Sequence, residues 1–153
     1  MKNIRIGLVV VLICFCWIAK AQIQPDPAHW AYGLKKLTGN ISEVHLKCTI
    51  DEGWHIYAQK QTDEFIGTKT KIGFTKTPGL TLIGTPVEVG KREKYTVKEV
   101  GITNYEYAGT VDFVQKATIK TGIKELKGTI TYQTCTHDHC LAEKTIDFTI
   151  PVN

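Results

Sequence analysis

Apolar side chains fall on every second position at Val44, Leu46, Cys48 and Ile50, with His45, Lys47 and Thr49 between them. A period of two sends alternate residues to opposite faces, so this segment is predicted to be a half-buried strand. Further strands are predicted at His29–Leu37, Trp54–Ala58, Lys69–Thr75, Thr81–Ile83, Tyr107–Lys120, Lys127–Cys135 and Cys140–Val152. Chain breakers separate them at Thr38-Gly39-Asn40, Asp51-Glu52-Gly53, Thr77-Pro78-Gly79 and Gly84-Thr85-Pro86. Seven or eight short strands with regular punctuation, and no convincing amphipathic helix, predict an all-β sandwich. Gly84–Asn104 carries Glu88, Lys91, Arg92, Glu93, Lys94, Lys98 and Glu99 among few apolar residues, and is expected to be a long loop or mobile edge. No repeat, low-complexity tract or linker divides the chain, so one domain is expected over 28–153, after a short leader at 22–27.

The N-terminus changes the picture of charge and compartment. Lys2 and Arg5 precede an apolar run from Ile6 to Ala19, and Ala19-Lys20-Ala21 supplies an A-x-A-type cleavage signal. That layout predicts a secretory signal peptide over 1–21. The run is shorter than the roughly 20 residues a spanning helix needs. Removing Lys2, Arg5 and Lys20 leaves 16 basic against 15 acidic residues, a net charge of +1. A nearly neutral protein offers no argument for nucleic acid or an anionic membrane as partner. Export, to the periplasm of a Gram-negative cell or otherwise as a secreted protein, places the chain where disulfides form. Cys14 and Cys16 would leave with the signal, so Cys48, Cys135 and Cys140 remain, and their odd number leaves at least one thiol unpaired within the chain.

The chemistry concentrates in Thr134-Cys135-Thr136-His137-Asp138-His139-Cys140-Leu141. Four polar residues between two strands predict a hairpin loop, which sets its flanking residues opposite each other. Facing Cα atoms in such a pair lie about 4.5–5.5 Å apart, a span a disulfide accepts. Cys135 and Cys140 can therefore bridge. The ring is small, so its entropic gain is smaller than that of a long loop. A protonated His lowers a neighbouring thiol pKa and a carboxylate raises it, so His137, Asp138 and His139 are candidates for tuning the pair, or ordinary turn residues. From the residues alone three uses stay open: a structural staple, thiol–disulfide exchange, and a metal site of Cys135, His137, His139 and Cys140. Four ligands within six residues wrap poorly around one tetrahedral ion.

Cys48 alternates in phase with Val44, Leu46 and Ile50 and reads as a buried core thiol. Tyr132 shares its phase with Ile130 and reads as core too. Gly84, Gly90 and Lys91 miss the phosphate-loop spacing by one residue, and Arg92 stands where Ser or Thr is needed. Asn40-Ile41-Ser42 is a formal glycosylation sequon. No Gly-x-Ser-x-Gly or paired-carboxylate arrangement marks a hydrolase.

Around the hairpin the sequence resembles the N-terminal periplasmic domain of the bacterial thiol:disulfide interchange protein DsbD. The resemblance rests on Tyr132-Gln133-x-Cys135 followed by Cys140, on Gly53-Trp54-His55-Ile56-Tyr57, and on Lys98-Glu99-Val100-Gly101 leading into Tyr105 and Tyr107, and spans roughly Asp51–Val152. It implies an immunoglobulin-like β-sandwich whose Cys135/Cys140 pair shuttles between dithiol and disulfide, with Cys140 forming the mixed disulfides. It implies an aromatic on a cap loop shielding the pair, with Val100 or Tyr95 as the nearest equivalents, and Tyr57 beside the pair. Its electrons arrive from a thioredoxin-like domain and leave toward oxidised periplasmic proteins. With no membrane channel or thioredoxin-like domain in the chain, a membrane-bound or thioredoxin-like donor is expected to be a separate protein, and no cofactor or small-molecule substrate is implied. Cysteine spacing of four rather than five, and Leu141-Ala142 in place of prolines, depart from the family pattern. The alternative function is a non-catalytic immunoglobulin-like binding module with a structural hairpin disulfide.

Overall fold

The computed structural model describes residues 26–152, and the expected signal peptide and most of the expected leader lie outside them. Among the described residues nine strands run in chain order: β1 Ala28–Lys36, β2 Ile41–Ile50, β3 His55–Tyr57, β4 Lys71–Phe74, β5 Leu80–Val97, β6 Ile102–Ile119, β7 Glu125–Tyr132, β8 Thr134–Cys135 and β9 Lys144–Pro151. Among the described residues no helix is long and apolar enough to cross a membrane. Six strands form one sheet, in the order β1-β2-β6-β3-β8 with β5 also paired to β6, and β4-β7-β9 form the second. Every pairing is antiparallel.

The core lies between these sheets, where the period-two pattern puts it. Val44, Leu46 and Cys48 of β2 are fully buried, with Val111 and Phe113 from β6 and Leu126, Ile130 and Phe148 from the smaller sheet. Trp30 packs its ring 5.7 Å from Phe113 and 5.4 Å from Tyr132, tying β1 across the sandwich. Burying side chains of this size contributes about 1.5–3 kcal/mol each.

The expected loop at Gly84–Asn104 is instead most of β5, the hairpin turn after it and the start of β6. β5 is an edge strand, hydrogen-bonded to β6 alone, and most of its side chains are exposed or half-exposed on both faces. Backbone pairing, not an apolar face, holds it. Register shifts between Ile83 and Val87 and between Gly90 and Arg92 also break the phase of its alternation. A strand of this kind leaves little trace in a hydrophobic pattern.

The predicted hairpin is also modified. β7 and β9 pair only as far as Tyr132 and Lys144. Beyond Tyr132 the chain crosses to the other sheet, where β8 pairs with β3. The segment holding both cysteines therefore caps one end of the sandwich.

Candidate functional site at the end of the sandwich

β3 is buried on both faces. Ile56 points into the core beside its register partner Tyr107. His55 and Tyr57 point the other way. His55 stands opposite Cys135 on β8, and Tyr57 stands opposite Glu106 on β6. Partners in register share a face, so strand pairing alone brings His55, Tyr57, Glu106 and Cys135 together.

Cys135 and Cys140 form a disulfide, with Cα atoms 4.0 Å apart, and also make an isolated antiparallel bridge. Their environments differ. Cys135 is 0 % exposed, while Cys140 is exposed. The turn is closed by the Thr136 N–H donating to the His139 carbonyl at 2.8 Å and the Leu141 N–H donating to the Thr134 carbonyl at 2.9 Å. The Thr136 hydroxyl accepts from the N–H groups of Asp138 and His139 at 3.2 and 3.1 Å. Gln133 braces the base, its amide donating to the Leu141 carbonyl at 3.0 Å and its carbonyl accepting from the Thr68 N–H at 3.0 Å.

The Tyr57 hydroxyl lies 3.7 Å from Cys140 Sγ, and since a disulfide sulfur carries no proton, the phenol is the donor. Burial, followed by the nearby Glu106, pushes the Tyr57 pKa above its ordinary value, so it keeps that proton. Phe65 sets its ring edge-on to Tyr57 at 4.8 Å. Phe65 comes from the segment between β3 and β4, and Gly67 lets that segment approach. Its φ is +139°, and a Cβ there would meet Phe65 Cζ at 3.0 Å and Tyr57 Cε2 at 3.3 Å.

The two loop histidines diverge. His139 meets the edge of Trp54 at 5.4 Å and shares a hydrogen bond with the Thr136 hydroxyl. His137 turns back over the sheet. Its Nε2 is 3.2 Å from Glu106 Oε1, and its ring stacks on Tyr95 at 4.3 Å. Beneath it lies His55, whose Nε2 is 3.3 Å from Glu106 Oε2. Burial, and secondarily the charge of His137, depresses His55 to about 4. Burial raises Glu106, against the opposing influence of His137.

The structure thus gathers Cys135, Cys140, Tyr57, Tyr95, His137 and His139 at one end. Asp138 is exposed in the turn. Val100 is 64 % exposed in the turn between β5 and β6. The four-ligand set Cys135, His137, His139 and Cys140 is not assembled around one point, because both sulfurs are bonded to each other and the histidines part. Sequence reading missed Phe65, Glu106 and His55. The lone aromatic in the polar run Thr62-Asp63-Glu64-Phe65 was the available signal for Phe65. Glu106 stands between Tyr105 and Tyr107 with nothing in the sequence to mark it as buried.

Fold and site together define an immunoglobulin-like β-sandwich carrying a cysteine pair on a cap at one end. The family follows from comparison: residues 20–151 match the N-terminal domain of the thiol:disulfide interchange protein DsbD, and the chain belongs to that family. Three solved structures share the fold. The N-terminal periplasmic domain of ScsB from Proteus mirabilis is 17 % identical with a TM-score of 0.59, over 86 % of this chain and 48 % of that one. The chain thus spans about half of that relative's length. The DsbD N-terminal domain of Neisseria meningitidis in its reduced form is 19 % identical with a TM-score of 0.55, over 88 % of this chain and 94 % of that one. A complex between the DsbD and PilB N-terminal domains of Neisseria meningitidis gives 16 % identity and a TM-score of 0.52, over 84 % and 87 % of the two chains. No curated protein sequence matches significantly. Family membership and the Cys135–Cys140 disulfide support thiol–disulfide interchange in general.

Proposed function

We propose that this chain is an exported relay domain that passes reducing equivalents to or from partner proteins through Cys135 and Cys140. The observation that carries the reading is the asymmetry of the pair: Cys135 is buried against β3 and Cys140 is exposed on the rim. An incoming thiolate can reach Cys140 Sγ and not Cys135 Sγ, and access decides which sulfur is attacked.

In the reductive direction a partner thiolate attacks Cys140 Sγ. An S–S bond forms between partner and Cys140, the Cys135–Cys140 bond breaks, and Cys135 leaves as a thiolate that takes a proton. The partner's second thiolate then attacks the partner's own sulfur in the mixed disulfide. Cys140 leaves as a thiolate, the partner is oxidised to a disulfide, and two electrons have moved to this chain. The reduced pair runs the same steps in reverse on an oxidised protein, with the Cys140 thiolate as nucleophile. No cofactor enters. Tyr57 is placed to donate to the Cys140 thiolate, and a hydrogen bond to the charged form favours it. Phe65 packs edge-on against Tyr57 and so fixes the phenol beside Cys140. Tyr95 stacks on the His137 ring.

The partners fitting this chemistry are a thioredoxin-like or membrane-bound electron donor and oxidised proteins of the same exported compartment. A solved complex of a related domain with the PilB N-terminal domain supports protein partners in general. Trapping tests the assignment. The Cys135→Ala protein is expected to accumulate a mixed disulfide through Cys140 with a thioredoxin that keeps only its attacking cysteine, supplied as the thionitrobenzoate mixed disulfide so that the Cys140 thiolate displaces thionitrobenzoate, and the product is visible on non-reducing gels. Equal trapping by Cys140→Ala, or none by either variant, would contradict it.

A further inference from the structure

Beside the cysteine pair, three side chains converge that the exchange chemistry does not use. His55, Glu106 and His137 each offer a ligand atom, and these atoms all lie within 4.8 Å of one another. Glu106 Oε1 is 3.2 Å from His137 Nε2, and Glu106 Oε2 is 3.3 Å from His55 Nε2. Two metal–ligand bonds of about 2.0–2.1 Å at the tetrahedral angle hold their ligand atoms about 3.3 Å apart. The two carboxylate–imidazole separations are of that size, one through each carboxylate oxygen.

A second observation separates this cluster from an ordinary hydrogen-bonded triad. Glu106 is 3 % exposed, yet its Oε2 has no hydrogen-bond partner, so the neighbouring His55 nitrogen is out of line for one. A buried carboxylate oxygen left without a donor is costly. A cation held between the carboxylate and the two imidazoles would satisfy it. Glu93 stands opposite Glu106 in the β5–β6 register and adds negative potential, although it also engages the exposed Lys91. The Tyr95 ring fixes the His137 imidazole from its outer face. His137 is 58 % exposed, so the cluster opens to solvent on that side.

We infer that His55, Glu106 and His137 form a binding site for a divalent transition ion of the zinc type, with three protein ligands and one open position. Two histidines and a glutamate are an established ligand set for such ions. The Cys135–Cys140 bridge positions His137, because it closes the loop that carries it. Ion affinity is therefore linked to the redox state of the pair: opening the bridge frees the loop and weakens the site. The metal site itself does not depend on the exchange reading.

Titration of the oxidised protein with Co²⁺ tests it, since the thiols are then unavailable as ligands. Near-equimolar uptake is expected, with visible ligand-field absorption that is displaced by Zn²⁺. His137→Ala is expected to weaken binding by on the order of 100-fold, and being exposed it is a variant that keeps the fold. Glu106→Gln should do the same, with its folded state verified by circular dichroism. His139→Ala should bind as the unaltered protein does. Absence of the absorption, its persistence in His137→Ala, or its loss in His139→Ala would each overturn the assignment. The Cys135→Ala/Cys140→Ala protein, which lacks both the bridge and its thiols, should bind Zn²⁺ more weakly than the oxidised protein by calorimetry, and unchanged affinity would overturn the linkage.

Discussion

The two kinds of cysteine in this chain occupy opposite worlds. Cys48 sits in the middle of the sandwich, fully buried and free, among Val44, Leu46 and Phe113. Burial, and secondarily the charge of Asp26, pushes its thiol up to about 12. Cys140 sits on the rim, exposed, beside a phenol that donates toward its sulfur. The same atom type is inert in one place and suited to nucleophilic chemistry in the other. The difference lies in access and in the neighbouring dipoles, not in the side chain. The sandwich centre is built from apolar packing, whereas the end is built from polar side chains that the register of β3, β6 and β8 sets on one face.

Removing the chemistry without the fold is the sharpest way to separate the two regions. Changing both Cys135 and Cys140 to Ala is expected to abolish exchange with a dithiol partner, measured by insulin reduction coupled to thioredoxin. The cost in stability should be no more than about 2 kcal/mol, the chain-entropy value for so short a ring. A greater loss, by urea denaturation, would identify the bridge as a staple. The converse change acts on the core. Phe148→Ala, which empties a site lined by Tyr32 and Phe74, should cost about 3–5 kcal/mol. The potential of the cysteine pair in the folded variant should stay unchanged.

Alkylation compares the thiols directly. With a pKa of about 12, Cys48 holds a thiolate fraction of about 10⁻⁴ at pH 8 even before access is considered. In the reduced protein iodoacetamide should label Cys140 first and leave Cys48 untouched until denaturant is added, as read by mass spectrometry. Labelling of native Cys48 at a comparable rate would erase the contrast.

The smallest effect is expected from Tyr57→Phe. It removes one hydrogen bond, worth about 0.5–1.5 kcal/mol. The Cys140 thiol pKa should rise by up to about one unit, followed by thiolate absorbance near 240 nm. A pKa unchanged or lowered would show that the phenol does not stabilise the thiolate.

What was legible in the sequence divides along the same line. The β2 alternation and the phase of Tyr132 with Ile130 announced the core, because one-sided burial writes itself into a period of two. The facing of Cys135 and Cys140 was readable because only four residues lie between them and local geometry governs. β5 was readable only at Thr81–Ile83, and its continuation through Gly84–Val97 was not, since it has no face to bury. His55, Glu106 and His137 were not readable as a group, because only the pairing of β3 with β6 and the return of the loop join them. Phe65 escaped for a related reason: its partner, Tyr57, belongs to another element.

The central claim is that the end of the sandwich exchanges electrons and does not merely staple a turn. Its most direct test is the reduction potential of the Cys135–Cys140 pair, set by equilibrating the protein with glutathione buffers. The account predicts a value in the range of exchange proteins, about −120 to −270 mV. A value below about −300 mV, where structural disulfides lie, would contradict it and leave a binding module with a stapled hairpin as the better description.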